Sequence, residues 1–352
     1  MKHISEIDKN FRVNSTINRQ NIQLYNVQEE PFQIYGLMYE EGKFCRIPGE
    51  VARRVNDGVW RLYANTSGGR VRFVTNSSYV AISASMEAIG KMSHFPLTGS
   101  AGFDLYVDEG KGQQYQGTFS PPYDIENGYE GVIDFSDARE RIITIHFPLY
   151  SNVTDLHIGL EQKAMVKQAP AYRCEKPIVF YGSSITQGGC ASRPGNSYSA
   201  ILSRLLDYNF INLGFSGNAR GEDAITDYIN SLDMSIFVLD YDHNAPTVEH
   251  LRDTHCRMYQ RIRKCHPDLP IILMTRPKVH LSEDEIQRVI VIEDTYQSAV
   301  QAGDRNIYLL KGTDLIGERI IETATVDGTH PNDSGFVSMA YALYELLLNS
   351  CI

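Results

Sequence analysis

The features that this sequence lacks exclude several classes of protein. Its six cysteines include no Cys-x-x-Cys pair, so their spacing gives no redox or metal motif, and we expect free thiols in a reducing compartment. No run of about eighteen apolar residues indicates a membrane-spanning helix. The formal net charge is −10 and no block of lysine and arginine stands out. We therefore expect neither nucleic acid nor a membrane as a partner.

The glycines and histidines also lack the patterns of a bound cofactor. Gly188, Gly189 and Gly221 form neither a G-x-G-x-x-G sequence nor a P-loop, so no nucleotide is indicated. Five histidines between residues 243 and 280 show no spacing typical of a metal site. We expect no metal and no organic cofactor. One alternative is Asp240-x-Asp242, a frame in which some phosphatases present an aspartyl nucleophile with Mg²⁺, but nothing else in the chain completes such a site.

The amino terminus bears on the location of the protein. Its first ten residues lack the apolar core of a secretory signal. For the sequence as given, this predicts a cytoplasmic protein. A secreted or periplasmic protein would fit instead if a signal peptide had been removed.

The chain is longer than one hydrophobic core usually supports, and its two halves differ in hydrophobic period. From about residue 58 to 162, apolar and polar residues alternate between turn-forming clusters, which is typical of half-buried strands. We expect an antiparallel β-sandwich, jelly-roll-like, as a first domain over residues 1–170. The clearest predicted strands are Arg70–Thr75, Tyr79–Ser85, Phe103–Asp108 and Arg141–Phe147.

After about residue 171, short apolar runs alternate with stretches of helical period, which is the pattern of a parallel sheet covered on both faces. We expect a flavodoxin-like, three-layer α/β/α domain over residues 171–352, so the fold class is α/β. The predicted strands are Ile178–Tyr181, Phe210–Leu213, Ile236–Leu239, Ile271–Met274 and Ile307–Leu310. The predicted helices are Ser197–Leu206, Glu222–Leu232, Thr247–Cys265, Glu283–Ala302 and Ser334–Leu348.

The candidate chemistry lies where the first of these strands ends. The apolar run stops at Gly182 and is followed by two hydroxyls and a Gly-rich loop, which is how a strand end presents a serine nucleophile. Near the carboxyl terminus, Asp327 and His330 stand three residues apart. His330 would take the proton of Ser184, and Asp327 would fix the imidazole tautomer. These residues predict a serine hydrolase.

Attack on a carbonyl creates an oxyanion, which preorganised hydrogen-bond donors must stabilise. Ligands of open parallel sheets bind beyond the carboxyl ends of the strands. We expect three donors there: the backbone N–H of Ser184, the N–H of Gly217 and the side-chain amide of Asn244. Gly217 is equally compatible with a structural turn. For Asn244 the alternative is a cap of the following helix, and we favour the oxyanion role.

From about Pro177 to the carboxyl terminus, the chain resembles the SGNH or GDSL-type hydrolases. Residues 182–186, Gly-Ser-Ser-Ile-Thr, are similar to the first block of that family, with Ser184 in the place of the nucleophile. Gly217 is similar to the glycine of the second block, and Asp327-Gly-Thr-His330 matches the last block. Ser183 stands where the family usually has aspartate and is the alternative nucleophile, and Asn244 must supply the asparagine of the third block.

This resemblance implies an esterase or acylhydrolase that works through an acyl-enzyme. A sandwich before such a domain also resembles the two-domain carbohydrate esterases, so we expect a glycan or small-molecule ester as substrate, most simply an O-acetylated carbohydrate. One alternative is a lipid or thioester acylhydrolase. Another is a glycan-binding protein with an inactive hydrolase scaffold. An acidic chain with a large β-domain often forms a homo-oligomer, and the sequence leaves this open.

Overall fold

The computed structural model describes residues 16–351, and its amino-terminal half is built from antiparallel strands. These strands are β1 (Ile22–Asn26), β2 (Gln33–Tyr35), β3 (Met38–Glu40), β4 (Lys43–Cys45), β5 (Arg70–Thr75), β6 (Tyr79–Glu87), β7 (Phe103–Asp108), β8 (Gln114–Phe119), β9 (Gly128–Asp134), β10 (Arg141–His146), β11 (Asn152–Glu161) and β12 (Val166–Lys167). One sheet has the order β1-β11-β6-β9, and a second has the order β12-β5-β10-β7-β8, with β2 also paired to β5. Strands β3 and β4 form a separate hairpin.

The two larger sheets pack face to face and enclose one core. Alternate residues of facing strands fill it, for example Val71 and Phe73 of β5 against Ile158 of β11. The predicted β-sandwich is therefore confirmed. The other face of the second sheet is buried as well, because it packs against the carboxyl-terminal half of the chain. From that face, Arg70 donates to the carbonyl of Phe210 at 3.0 Å.

The carboxyl-terminal half holds a parallel sheet of five strands in the order β14-β13-β15-β16-β17. They are β13 (Cys174–Gly182), β14 (Tyr208–Gly214), β15 (Ile236–Asp240), β16 (Ile271–Met274) and β17 (Ile307–Leu310). The α-helices of this half are Ser184–Gln187, Tyr198–Leu206, Asp223–Asn230, Val248–Cys265, Glu283–Gln301, Gly312–Leu315 and Asp333–Ser350. Short 3₁₀ turns occupy Pro194–Asn196, Asp242–Asn244 and Glu318–Ile320. The expected flavodoxin-like order and three layers are confirmed.

Successive residues of each parallel strand enter opposite cores, as the pleat requires. Val179 and Tyr181 of β13 face one core, and Ile178 and Phe180 face the other. Because both faces are covered by helices, these strands are buried apolar runs without alternation. This explains why the short apolar runs of the sequence locate them closely.

Two short helices, Gly49–Val55 and Asp57–Leu62, lie outside the sequence expectations. Ala52 and Val59 of this pair are fully buried in the core that covers one face of the parallel sheet. The amino-terminal part of the chain therefore contributes to a core of the α/β layer as well as to the sandwich. A division into domains at 170/171 stays a prediction. A third short helix, Leu97–Ser100, precedes β7.

Two further observations concern the whole described chain. Among the helices of residues 16–351, none is both long and apolar enough to cross a membrane. All six cysteines are free thiols in the structure.

Candidate active site

Strands β13, β14 and β15 end side by side, and the candidate site lies at these ends. Gly182 pairs with Gly214 on one side and with Asp240 on the other. A Cβ at Gly182 would lie 2.1 Å from the carbonyl oxygen of Asp240, so only glycine lets the two backbones approach this closely. The three loops that carry the predicted site residues therefore leave one edge of the sheet together.

The structure assigns different local roles to the two adjacent serines. Ser183 is fully buried and is the N-cap of the helix Ser184–Gln187, where its hydroxyl accepts the N–H of Ile185 at 3.2 Å. Ser184 is the first helical residue and is only half-buried. Its backbone N–H belongs to the first turn, whose N–H groups have no partner within the helix. The capping role explains why a second serine, Ser183, directly precedes Ser184.

Ser184, His330 and Asp327 form one chain of hydrogen bonds. The Ser184 Oγ lies 2.9 Å from His330 Nε2, and His330 Nδ1 lies 2.8 Å from Asp327 Oδ2. Since the Asp327 carboxylate only accepts, the proton on this side of the imidazole belongs to Nδ1. Nε2 then has its lone pair directed at the serine hydroxyl. This is the tautomer in which a histidine can accept a proton from serine.

The carboxylate of Asp327 is held by its own loop. Its Oδ1 accepts the backbone N–H groups of Thr329 at 3.0 Å and His330 at 2.8 Å. Partial burial acts to raise the pKa of Asp327, but the His330 and Thr329 N–H groups and the His330 side chain outweigh it and lower the pKa to about 2. The group is therefore a carboxylate at neutral pH, and its second oxygen is fixed toward the imidazole.

The two other predicted oxyanion donors lie together at the ends of β14 and β15. The Gly217 N–H donates to Asn244 Oδ1 at 3.1 Å, and Asn244 Nδ2 donates to the Phe215 carbonyl at 2.9 Å. Gly217 is exposed at φ +69°, in the left-handed region that favours glycine. Asn244 thus holds the Gly217 loop. The Gly217 N–H can reach an oxyanion only by sharing or giving up this bond.

The carboxyl groups of Asp240 and Asp242 face different partners. Asp240 Oδ2 accepts the hydroxyls of Thr186 at 2.9 Å and Tyr198 at 3.1 Å, whereas Asp242 Oδ2 pairs with Arg276 Nε at 2.9 Å. Burial, followed by the neighbouring Asp242, raises the pKa of Asp240 to about 8. Asp240 thus binds Thr186 of the helix Ser184–Gln187, and the geometry does not direct Asp240 and Asp242 at a common ligand.

Residues far away in the sequence support the helix Ser184–Gln187, which carries the predicted nucleophile. Gln187 Nε2 donates to Asn65 Oδ1 at 3.1 Å and to the Leu149 carbonyl at 3.2 Å. The Ser67 hydroxyl donates to the Gln187 carbonyl at 2.6 Å, and the Tyr150 hydroxyl donates to the Ser184 carbonyl at 3.2 Å. The amino-terminal half therefore fixes both ends of the helix that carries Ser184. No local pattern in the sequence identifies these contacts.

Arg46 holds the end of β14 in the same way. Its guanidinium is buried, donates to the carbonyl oxygens of Gly214 and of Leu62, and stacks 4.4 Å above the Phe215 ring. Burial lowers the pKa of Arg46 to about 9, so the group stays charged at neutral pH. The loop that leads to Gly217 thus begins at a point fixed by the amino-terminal half.

Two residues that the sequence did not identify lie next to His330. The His94 and His330 rings are 6.0 Å apart between centroids. Cys190 is 3% exposed and has φ +74°, a conformation that residues other than glycine rarely adopt. Burial, followed by the charge of Asp327, raises the pKa of the Cys190 thiol to about 11, so the free thiol is neutral. His94 and Cys190 line a groove of about 480 Å³ with Pro96 and Val326.

Comparison with protein families identifies the class of this chain. Residues 175–348 match the model of the GDSL-like lipase/acylhydrolase family, and residues 22–166 match a model described as the N-terminus of SGNH-hydrolase-type esterases. The carboxyl-terminal half of the chain belongs to the GDSL-like lipase/acylhydrolase family, and the chain is an ester hydrolase. The expected family resemblance is confirmed.

The second family model is named after a Gly-x-Asp-Leu-Tyr motif, and this chain has that sequence at residues 102–106. Asp104 of the motif is buried, accepts the Gly195 N–H at 2.9 Å and pairs with Arg193 at 3.4 Å. The motif therefore joins the sandwich to the loop that follows the helix Ser184–Gln187.

Several solved structures share the fold of this chain. A Bacteroides ovatus protein assigned as a GDSL-like lipase is 29% identical with a TM-score of 0.84, over 94% of this chain and 98% of that one. A salicylyl-acyltransferase from a tetracycline biosynthetic pathway is 19% identical with a TM-score of 0.77, over 94% and 98%. A family two carbohydrate esterase from Cellvibrio japonicus is 14% identical with a TM-score of 0.61, over 93% and 97%. The last two show the fold alone. The curated proteins contain no match to this chain.

Proposed function

We propose that this ester hydrolase works through an acyl-enzyme on Ser184 and removes short acyl groups, most simply acetyl groups, from carbohydrate esters. The observation that carries the proposal is the hydrogen-bonded chain from the Ser184 hydroxyl through His330 to Asp327. A glycan-binding scaffold has no physical need for this chain, which argues against an inactive hydrolase.

In the first step, Ser184 Oγ attacks the ester carbonyl while His330 Nε2 accepts its proton. The imidazolium that forms keeps its Nδ1–H on the Asp327 carboxylate, which stabilises the charge. His330 then gives the proton to the leaving alcohol, and the acyl group stays on Ser184. Water attacks the acyl-enzyme with His330 again as the base, which releases the acid and restores the serine.

The oxyanion that forms in both attacks needs donors on the other side of the carbonyl. We assign the Ser184 N–H, which is free at the start of its helix, and the Asn244 amide, whose Nδ2 carries a second proton besides the one on Phe215. The Gly217 N–H would join them by sharing its bond to Asn244 Oδ1. Loss of one such donor typically costs about 3 kcal/mol of transition-state stabilisation.

The surroundings of Ser184 favour a short acyl group. The loop that follows the nucleophile helix is mostly small and polar, and a Cβ at Gly189 would lie 3.1 Å from the Ser184 carbonyl and 3.7 Å from the His330 ring. The fold shared with the carbohydrate esterase of Cellvibrio japonicus supports a sugar as the alcohol part. A lipid acylhydrolase is the second candidate, because the Bacteroides ovatus protein is assigned as a GDSL-like lipase.

The test is hydrolysis of p-nitrophenyl esters from acetate to palmitate, with acetylated xylan as a polymeric substrate, by the wild type and Ser184→Ala. We expect activity on acetate and on acetylated xylan, and a loss of at least about 10⁴-fold in the variant with an unchanged melting temperature. A preference for long chains would favour the lipid acylhydrolase. Full activity in Ser184→Ala would refute the assigned nucleophile, and no activity of the wild type on any ester would favour the inactive scaffold.

A further inference from the structure

Three side chains that can bind a metal ion meet at the groove beside the candidate active site. They are His94 from the loop after β6, Cys190 from the loop after the nucleophile helix, and His330. One donor atom of each lies within 4.8 Å of the other two. The chemistry proposed above uses only His330, so it gives no reason for a thiol and a second imidazole at this place.

The donor set and its dimensions fit Zn²⁺. Two imidazoles and one thiolate are ligands that zinc prefers, and a tetrahedral zinc with Zn–S of about 2.3 Å and Zn–N of about 2.1 Å separates its ligand atoms by roughly 3.6 Å. The three donor atoms would have to approach by about 1 Å. His94 is exposed and free to make this movement, whereas Cys190 and His330 are held by the fold.

Two of the three ligands are already oriented. His330 donates its Nδ1–H to Asp327, and zinc-binding histidines usually donate their other ring N–H to a carboxylate in this way. The left-handed backbone of Cys190 directs its side chain into the groove that His94 and Pro96 also line. Such strain persists only where the surrounding structure imposes it.

We propose that His94, Cys190 and His330 form a binding site for Zn²⁺, and that the bound ion inhibits the enzyme. Zinc would bond to His330 Nε2 and so replace the hydrogen bond from Ser184, which leaves the serine without its base. The Cys190 thiol would bind as the thiolate and release its proton to solvent, and the fourth position would hold water. The binding part stands on geometry alone, while the inhibition rests on the proposed function.

Binding is measured first, without reference to activity, by calorimetric titration of the protein with zinc and by the cobalt–thiolate absorption band after titration with Co²⁺. We expect one ion per chain and a cobalt–thiolate band in the wild type. His94→Ala and Cys190→Ser remove one ligand each and should weaken zinc binding by more than about 100-fold. Loss of a group that only hydrogen-bonds to a metal ligand already lowers metal affinity by about 10–100-fold. Exposed His280 is the matched control, and His280→Ala should bind like the wild type.

Inhibition is then measured as the loss of p-nitrophenyl acetate hydrolysis with rising zinc, relative to the zinc-free rate of each variant. Zinc should inhibit the wild type and His280→Ala at the concentration at which it binds, and inhibit His94→Ala only at more than about 100-fold higher concentration. Equal binding by wild type and His94→Ala, or no cobalt–thiolate band, would overturn the site. Binding with unimpaired hydrolysis would overturn the inhibition. If the protein hydrolysed no ester, the binding measurements would still decide the site while the proposed function failed.

Discussion

Replacement of Asp327 by asparagine tests the orientation of His330 with almost no change in shape. In the wild type, one carboxylate oxygen accepts two backbone N–H groups and the other accepts His330 Nδ1–H. In Asp327→Asn, the backbone donors retain the amide oxygen, so the amide N–H₂ group turns toward His330. That group donates and forces the Nδ1 atom to accept. The proton then moves to Nε2, where it blocks proton transfer from Ser184.

The size of the effect follows from the cost of restoring the correct tautomer. A flip of the amide would direct its N–H₂ group at the backbone N–H groups of Thr329 and His330 and leave both without an acceptor. Each unsatisfied buried donor costs about 1–3 kcal/mol, which is about 6 kcal/mol at most for the two, and the exposed position of Asp327 and Thr329 lowers this cost by access of water. A total of about 4 kcal/mol corresponds to a loss of about 10³-fold in rate.

The assay is steady-state hydrolysis of p-nitrophenyl acetate, with thermal unfolding measured in parallel. We expect kcat and kcat/KM to fall together by about 10³-fold, since the interaction is made in the transition state, with little change in melting temperature. Asp314→Asn, the same change at an exposed position of a short helix, is the control and should keep wild-type activity. More than a tenth of wild-type activity in Asp327→Asn would refute the argument from the tautomer.

Three further changes test other parts of the structure. Ser183→Ala removes a helix cap and should cost about 1 kcal/mol of stability in thermal unfolding while hydrolysis continues; a loss as large as that of Ser184→Ala would show that the two serines are wrongly assigned. Arg46→Met leaves the Gly214 and Leu62 carbonyls without their donor and should lower the free energy of urea unfolding by about 2–6 kcal/mol; a change below about 1 kcal/mol would contradict the role of this side chain. Asp240→Asn tests the raised pKa of Asp240, which is about 8. Between about pH 4 and 8 the native state keeps a proton on Asp240 that the unfolded chain has lost, so the free energy of unfolding of the wild type should fall with rising pH relative to that of the variant. Above about pH 8 the difference between the two proteins should be constant. A pH-independent difference in unfolding free energy would refute that shift.

The parallel strands could be predicted closely because burial on both faces leaves a signal in the sequence itself. Ile271–Met274 and Ile307–Leu310 have the same bounds in the prediction and in the structure. The helices Gly49–Val55 and Asp57–Leu62 could not be predicted in this way, since each has two turns at most and its burial depends on a core formed more than a hundred residues later.

The candidate site, like the fold, could be predicted only where the signal is local in the sequence. The Gly-Ser-Ser and Asp-x-x-His sequences identify Ser184, Asp327 and His330 as candidates, because their chemistry and their position after a strand or in a loop can be recognised locally. The contact between Asn65 and Gln187 spans 122 residues, and His94 reaches His330 from the other half of the chain. Such contacts have no period and no fixed spacing, because only the packing of the two halves brings them together. The mutual bond of Gly217 and Asn244 depends in the same way on side-chain positions at two strand ends.

The amino-terminal half supports the helix Ser184–Gln187, and this dependence affects how the two halves can be synthesised or exchanged. The amino-terminal half is synthesised first. The Arg46 guanidinium therefore stays hydrated until β14 has been synthesised and provides the Gly214 carbonyl as its acceptor. If the α/β half were produced alone, the helix Ser184–Gln187 would lack its hydrogen bonds to Asn65 and Tyr150. The two halves are thus poor candidates for exchange as interchangeable modules. A chimera that joins this α/β half to a foreign sandwich would have to carry the supporting residues with it.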